Sequence, residues 1–292
     1  MWDHRIAFAT GLPHTMQDRD IDERRLEAGP TMPFLAVMID YDRISSEVLS
    51  LLNKTAERVD TQHQLWEFLD YKLLCLHDKF QRLNIEAGRA ETASWQQSGQ
   101  ALENLQTLLS VRINHARTRL RLPHLQTSGG VTTHQELARV ATDCACGTIS
   151  LCSKLIKETA AWMSIRSACD LFTFSALAAI LLVVSKDPQT YGMRCRQSFH
   201  EAIEILEGSQ NRPFAPGKLS FTLDQLRDIS ERINMPKHSS MPLQPQNDNN
   251  AILQATAILS SANHMDIPDY SSGTFDLLDL SEDLGWDRGT QS

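Results

Sequence analysis

Six cysteines, at positions 75, 144, 146, 152, 169 and 195, are the first residues in this chain that could do chemistry. They lack the repeated short spacings of a metal knuckle or a disulfide framework. Cys144 and Cys146 lie two residues apart on one helix, so their side chains diverge by ~200° and cannot meet on one ion. Cys152, six residues further on, fares little better. The three read as free buried thiols behaving as small hydrophobes. The run His200-Glu201-Ala202-Ile203-Glu204 carries glutamate where a helical zinc-protease motif needs its second histidine. It reads as a surface cluster with incomplete ligation, and no metal or cofactor is expected.

Other catalytic signatures are missing from the sequence. There is no Gly-x-Gly-x-x-Gly, no Gly-Lys-Ser/Thr phosphate loop and no Gly-x-Ser-x-Gly elbow, the loops through which backbone usually approaches a ligand. No pair of titratable groups is placed by sequence for acid–base work, so the chain is not expected to be an enzyme. A basic run, Arg112, His115, Arg117, Arg119, Arg121 and His124, invites a nucleic-acid reading. Against it stand 28 basic and 36 acidic side chains and a net charge of -8 over 292 residues. Phosphate binding needs clustered surplus cations, so no direct nucleic-acid contact is expected. The arginines read instead as complements to a helix C-terminus and as partners for carboxylates elsewhere in the chain.

The acidity is concentrated. From Ala262 to Ser292 seven acidic residues and one arginine supply -6 of the -8. Apolar residues are threaded among the acids: Phe275, Leu277, Leu278, Leu280, Leu284 and Trp286. Charge of this kind keeps aromatic side chains exposed until a partner groove takes them, so these six are the expected partner-binding residues. Ordering such a segment costs part of the binding energy, which points to micromolar contacts.

Helices must carry whatever sites exist. The first forty residues, broken by Gly11, Pro13, Gly29, Pro30 and Pro33, read as loop. Apolar spacing of three, four and seven predicts a helix from Tyr41 to Val59 through Ile44, Val48, Leu51 and Leu52. A second buries Leu65, Phe68, Leu69, Leu73, Leu76, Phe80 and Leu83, with Trp66 on its flank and Glu67, Asp70, Lys72, Asp78 and Lys79 on its solvated side. A third runs from Trp95 to Leu120, stopped by Pro123. After the Gly129-Gly130 break, Thr133 is the expected N-cap, with Glu136 completing a capping box, and helix continues from His134 to Ala161, bent at Gly147. The apolar stretch Leu171 to Val184 falls short of the ~20 residues that span a bilayer, so Ala168 to Val184 reads as a buried core helix and no membrane partner is expected. Asp187-Pro188 reads as a turn, followed by helices over Thr190 to Glu207 and Leu219 to Ile233. The expected fold is all-α, an irregular helical array over residues 1–233. A linker over 234–250, with three prolines, leads into a disordered acidic tail over 251–292. With no secretory pattern at the start, the cysteines are expected to be reduced and intracellular.

The opening Trp2-Asp3-His4-Arg5-Ile6-Ala7-Phe8-Ala9-Thr10-Gly11-Leu12-Pro13, followed by Asp18-Arg19-Asp20-Ile21-Asp22, resembles a hallmark of the fungal zinc-cluster transcription factors. In the middle regulatory domain of that family, Asp-Arg-x-x-Ala-x-x-x-Gly-x-Pro precedes an Asp-x-Asp-Ile-Asp segment. The arginine-rich helix ending at Pro123, the cysteine-rich helix and the apolar helix followed by Cys195 are similar to later family segments, so the resemblance covers roughly Met1 to Gly208. The family's six-cysteine zinc cluster, basic linker and coiled coil do not occur in these residues. The resemblance therefore implies the C-terminal half of the regulatory domain. It also implies transcriptional regulation through co-regulators or a related DNA-binding factor, in the nucleus and in part the cytoplasm. Two other classes stay open: a sensor that binds a small-molecule effector between its helices, and a truncated activator without a working role.

Overall fold

The computed structural model describes residues 33–54, 63–89, 99–127, 129–158 and 162–210. Among these residues the fold is all-α, with seven helices and no strand. We label them α1 (Pro33–Lys54), α2 (His63–Arg89), α3 (Gly99–Gln126), α4 (Gly130–Thr133), α5 (Gln135–Glu158), α6 (Trp162–Lys186) and α7 (Pro188–Gln210). The hallmark segment Trp2 to Asp22, the expected helix Leu219 to Ile233, the linker and the acidic tail all lie outside the described residues.

The third helix is the shared wall of two apolar clusters. Leu109, Ile113, Ala116 and Leu120 recur at four, three and four residues and face Val37, Met38, Tyr41, Ile44 and Val48 of α1 and Trp66, Leu69, Leu73 and Leu76 of α2. Val111 and Leu125 join the larger cluster built from α5, α6 and α7. A helix with apolar residues on two faces must be covered from both sides, which is why α3 lies at the centre of the array. Its polar positions between those faces satisfy themselves locally. Thr107, Ser110 and Thr118 each donate a hydroxyl to the carbonyl four residues earlier, as Thr142 and Thr148 do on α5. Self-satisfied threonines can be buried without an orphaned donor.

Several boundaries move relative to the sequence reading, each for a physical reason. The first helix begins at Pro33 rather than Tyr41. Proline at a first helical position forfeits no hydrogen bond, and Val37, Met38, Tyr41 and Ile44 continue one buried face. On α2 the buried face is rotated: Trp66 is buried, whereas Leu65 and Phe68 are 46% and 53% exposed. Pro123 lies inside α3, which continues to Gln126. The lost hydrogen bond and ring clash cost about 3 kcal/mol, but full burial of Leu125 returns about 2 kcal/mol. The end is also capped: Thr127 donates its hydroxyl to the His124 carbonyl at 2.7 Å, and Gly130 N–H and Lys186 Nζ both donate to the Thr127 carbonyl.

Thr133 is not the N-cap of α5. It ends the single turn α4, and His134 takes the capping position, its carbonyl accepting from Ala138 N–H at 3.0 Å. Glu136 turns to Arg139 instead of reaching back. Gly147 does not end or divide α5; a Cβ there would lie 3.2 Å from Asn114 Nδ2, so the glycine marks close approach of α3 and α5. The α6 helix is the most apolar, and its Ala168–Lys186 stretch of 19 residues is long and apolar enough to cross a membrane by length and composition. Here most of that stretch is buried against α3, α5 and α7. Asp187 alone separates α6 from α7, and its carboxylate accepts from Thr190 N–H at 3.2 Å as an N-cap before Pro188.

Candidate functional site

The described residues bring together two polar constellations around the α3–α5 axis. The first is a carboxylate held by two guanidinium groups. Arg117 and Arg121 stand one helical turn apart on α3, so both reach the same point on α2. Arg117 Nε donates to Asp70 Oδ1 at 2.8 Å and its second nitrogen to Oδ2 at 3.3 Å. Arg121 donates to Oδ1 at 3.0 Å and to Oδ2 at 2.8 Å. Burial alone would raise the Asp70 carboxyl, but the hydrogen bonds from Arg121 and Arg117 outweigh it and hold the group below its ordinary value. With each oxygen already taking two donors, the carboxylate has little capacity left for a substrate. It works as a clasp between α2 and α3.

Asp70 is therefore a correction to the sequence reading, which put it on the solvated side of α2. The signal that could have found it is the pair Arg117 and Arg121 at four residues' spacing in a chain short of cations. The rest of the basic run also faces inward. Arg112 reaches the Met38 sulfur at 3.7 Å while Tyr41 donates to the Arg112 carbonyl. His124 meets the Trp66 ring edge-on at 4.1 Å between centroids.

His115 ties α3 to α6. Its Nε2 lies 3.0 Å from Ser175 Oγ, and its ring meets Phe172 at 5.2 Å. Burial first, and the Arg119 charge second, push its pKa down to about 3. The neutral ring is thus the folded form, while the unfolded chain titrates near 6.5. Because the folded value is depressed, the unfolded state binds one more proton between those values, and stability falls as pH falls through that window. Urea midpoints should show a loss of about 2 kcal/mol between pH 6 and 4.5, at about 1.4 kcal/mol per pH unit. His115→Gln should flatten that slope, and an unchanged slope in the variant would assign it to another group.

The second constellation is a pair of thiols. Cys146 on α5 and Cys195 on α7 influence each other electrostatically across the seam between the two helices, with Ser198 near the Cys146 sulfur. Cys195 is fully buried, whereas Cys146 is partly exposed. The Asp143–Arg194 ion pair crosses the same α5–α7 seam. The neighbouring Cys195 draws the Cys146 thiol down to about 7, with Ser198 and Arg194 helping and burial opposing. Cys195 is raised, by its neighbour Cys146 and by burial. A further thiol pair, Cys152 with Cys169, joins α5 to α6 with both residues buried. Sequence spacing showed neither pair, since the partners are far apart in the chain. Cys144 does diverge from Cys146, as expected, and is buried.

His200, Glu201 and Glu204 line an open groove of about 450 Å³ on α7, with Met193, Arg196 and Gln197. Glu201 lies 3.9 Å from Lys157 of α5. Among the described residues no three His, Cys, Asp or Glu side chains are grouped to hold a metal ion. Phe275, Leu277, Leu278, Leu280, Leu284 and Trp286, the expected partner-binding residues, lie outside the described residues.

Fold and constellations define an all-α protein with a central helix clasped from both sides. No protein-family model matches the chain, and neither a curated protein nor a solved structure is significantly similar to it.

Proposed function

We propose that the chain is a transcriptional regulator that acts through protein contacts, with the helical body as a scaffold and the acidic segment as the recruiting element. The observation that carries this reading is the interleaving of Phe275, Leu277, Leu278, Leu280, Leu284 and Trp286 with five of the segment's seven carboxylates, Asp276, Asp279, Glu282, Asp283 and Asp287. Supporting it is the resemblance of Trp2 to Asp22 to the regulatory domain of fungal zinc-cluster transcription factors. Its partners are then co-regulators or a related DNA-binding factor, and its site of action is the nucleus, with a share in the cytoplasm. Residues 1–261 carry only -2 of the net charge, so the acidity belongs to the segment with the apolar anchors.

Joining the full chain to an unrelated DNA-binding domain and reading a reporter gene tests the proposal. Removing residues 266–292 should return output to that of the DNA-binding domain alone. Changing Phe275, Leu278 and Leu280 to alanine should do nearly the same with the charge intact, because buried aromatic and aliphatic anchors dominate such contacts. Output unchanged by the deletion would overturn the recruiting role.

A further inference from the structure

We propose that the outer face of α2 binds a second copy of this chain, the two α2 helices running parallel about a two-fold axis and meeting along Phe68, Tyr71 and Cys75. This inference stands apart from the transcriptional reading and does not depend on it.

Exposure marks the face. Six large apolar side chains are exposed among the described residues, and four of them, Leu65, Phe68, Tyr71 and Leu74, lie on α2. The inner face of the same helix, with Trp66, Leu69, Leu73 and Leu76, is already covered by α1 and α3. Apolar residues gathered on one exposed face mark a binding surface, whereas singly scattered ones do not. Phe68, Tyr71 and Cys75 follow one another at three and four residues, all three exposed, and Gln64 and Asp78 extend the row with the same alternation. That alternation is the 3.5-residue repeat of a seam between two helices, here about four turns long.

Charge selects the occupant and its direction. Lys72 and Lys79 border the row on the side of α1, where they pair with Glu47 and Asp40 at 2.6 and 2.7 Å. Glu67 is exposed on the opposite border, about 140° around the helix from Lys72. In a parallel pair with a two-fold axis, the Lys72 border of one helix faces the Glu67 border of the other at an offset of five residues. Opposite charges so placed hold two parallel helices in register. The same offset sets Leu74 against the aliphatic stem of Lys79. An antiparallel pair would instead bring Lys72 and Lys79 against themselves. The face carries both signs, so an acidic segment would meet Glu67 and Asp78 as well as the lysines, whereas a second copy complements each charge. Lys72 Nζ also stands 5.4 Å from the Phe68 ring centroid, a contact that strengthens when a second copy excludes water.

Sedimentation velocity of the full-length reduced chain, from about 1 to about 200 μM, tests the proposal, because four turns of helix make a small and weak interface. The expected result is monomer at the low end and dimer at the high end. Phe68→Glu should weaken association at least about tenfold. Glu67→Lys should weaken it about fivefold, and adding Lys72→Glu should restore it, because the exchange returns opposite charges to the facing borders. Should a variant fail to fold by circular dichroism, the unaltered protein decides through Cys75, which is exposed. A short bis-maleimide should then join two copies, and peptide mapping should place the link between one Cys75 and the other. A chain that stays monomeric throughout would overturn the proposal and leave the face to a different partner. So would a dimer indifferent to Phe68→Glu, one that the charge exchange does not restore, or one without the Cys75 link.

Discussion

Asp70→Asn is expected to lower the unfolding free energy by about 3 kcal/mol or more, read from urea midpoints at pH 7. The amide keeps the size of the carboxylate and loses its charge. Two guanidinium groups would then be left facing a neutral neighbour, with side chains only 17% and 8% exposed for Arg117 and Arg121. Removing one member of a desolvated ion cluster costs far more than the 0–1 kcal/mol of an exposed pair. The surface pairs Lys72–Glu47 and Lys79–Asp40, which join the same region of α2 to α1, provide that comparison. Glu47→Gln should fall within about 1 kcal/mol of the unaltered protein. The pH dependence follows the same group. Its folded value is depressed, so its stabilisation is fully present above the unfolded carboxyl value near 4 and is lost as pH falls through the folded value. That acid limb should vanish in Asp70→Asn and lies below the pH 6 to 4.5 range in which the His115 slope is read. A variant as stable as the parent at pH 7 would mean that the clasp contributes nothing.

What the sequence displayed clearly was periodicity. Ile44, Val48 and Leu51, or Phe199, Ile203 and Leu206, declare a buried face because each helix meets one dominant neighbour there. Periodicity was ambiguous on α2, where Leu65, Phe68, Tyr71 and Leu74 form a second apolar stripe three residues apart that is exposed. Nothing local distinguishes that stripe from the one carrying Trp66, Leu69, Leu73 and Leu76. Only packing against α1 and α3 chooses between them. The constellations were harder still. Asp70 meets Arg117 and Arg121 across 47 and 51 residues, and Cys146 meets Cys195 across 49. Such encounters belong to the crossing of helices, and spacing within one helix cannot report them. Residue type gave a partial hint, because two arginines on one face of a helix that is covered on both sides must find an anion. The thiols gave none, since a buried cysteine is unremarkable by itself. The six apolar residues of the acidic segment proposed as anchors rest on composition alone, because they lie outside the described residues.

The Gly129-Gly130 break shows how two adjacent glycines can be needed for opposite reasons, and it yields the second large effect. Gly129 has φ +74°, in the left-handed region that residues with a Cβ disfavour by about 1 kcal/mol. Space around it is ordinary: a Cβ would lie 3.8 Å from the nearest atom, Thr132 Oγ1. Gly130 carries no such conformational demand, yet a Cβ there would lie 2.1 Å from the His124 carbonyl oxygen and 2.6 Å from Thr127 Oγ1. The oxygen is backbone, held at the end of α3 by the Thr127 hydroxyl, so it cannot swing aside as a flexible side chain would. Relief requires α4 to move away from α3. That movement would break the Gly130 N–H bond to Thr127 and withdraw Val131, fully buried in the larger cluster. Losing Val131 burial and adding overpacking strain each cost about 1–3 kcal/mol. Gly130→Ala should therefore destabilise by about 3 kcal/mol or more, while Gly129→Ala should cost about 1 kcal/mol. Thermal unfolding of the two variants side by side separates the causes. If the two losses are equal, backbone conformation alone governs the junction, and the close approach of α3 and α4 is not what fixes it.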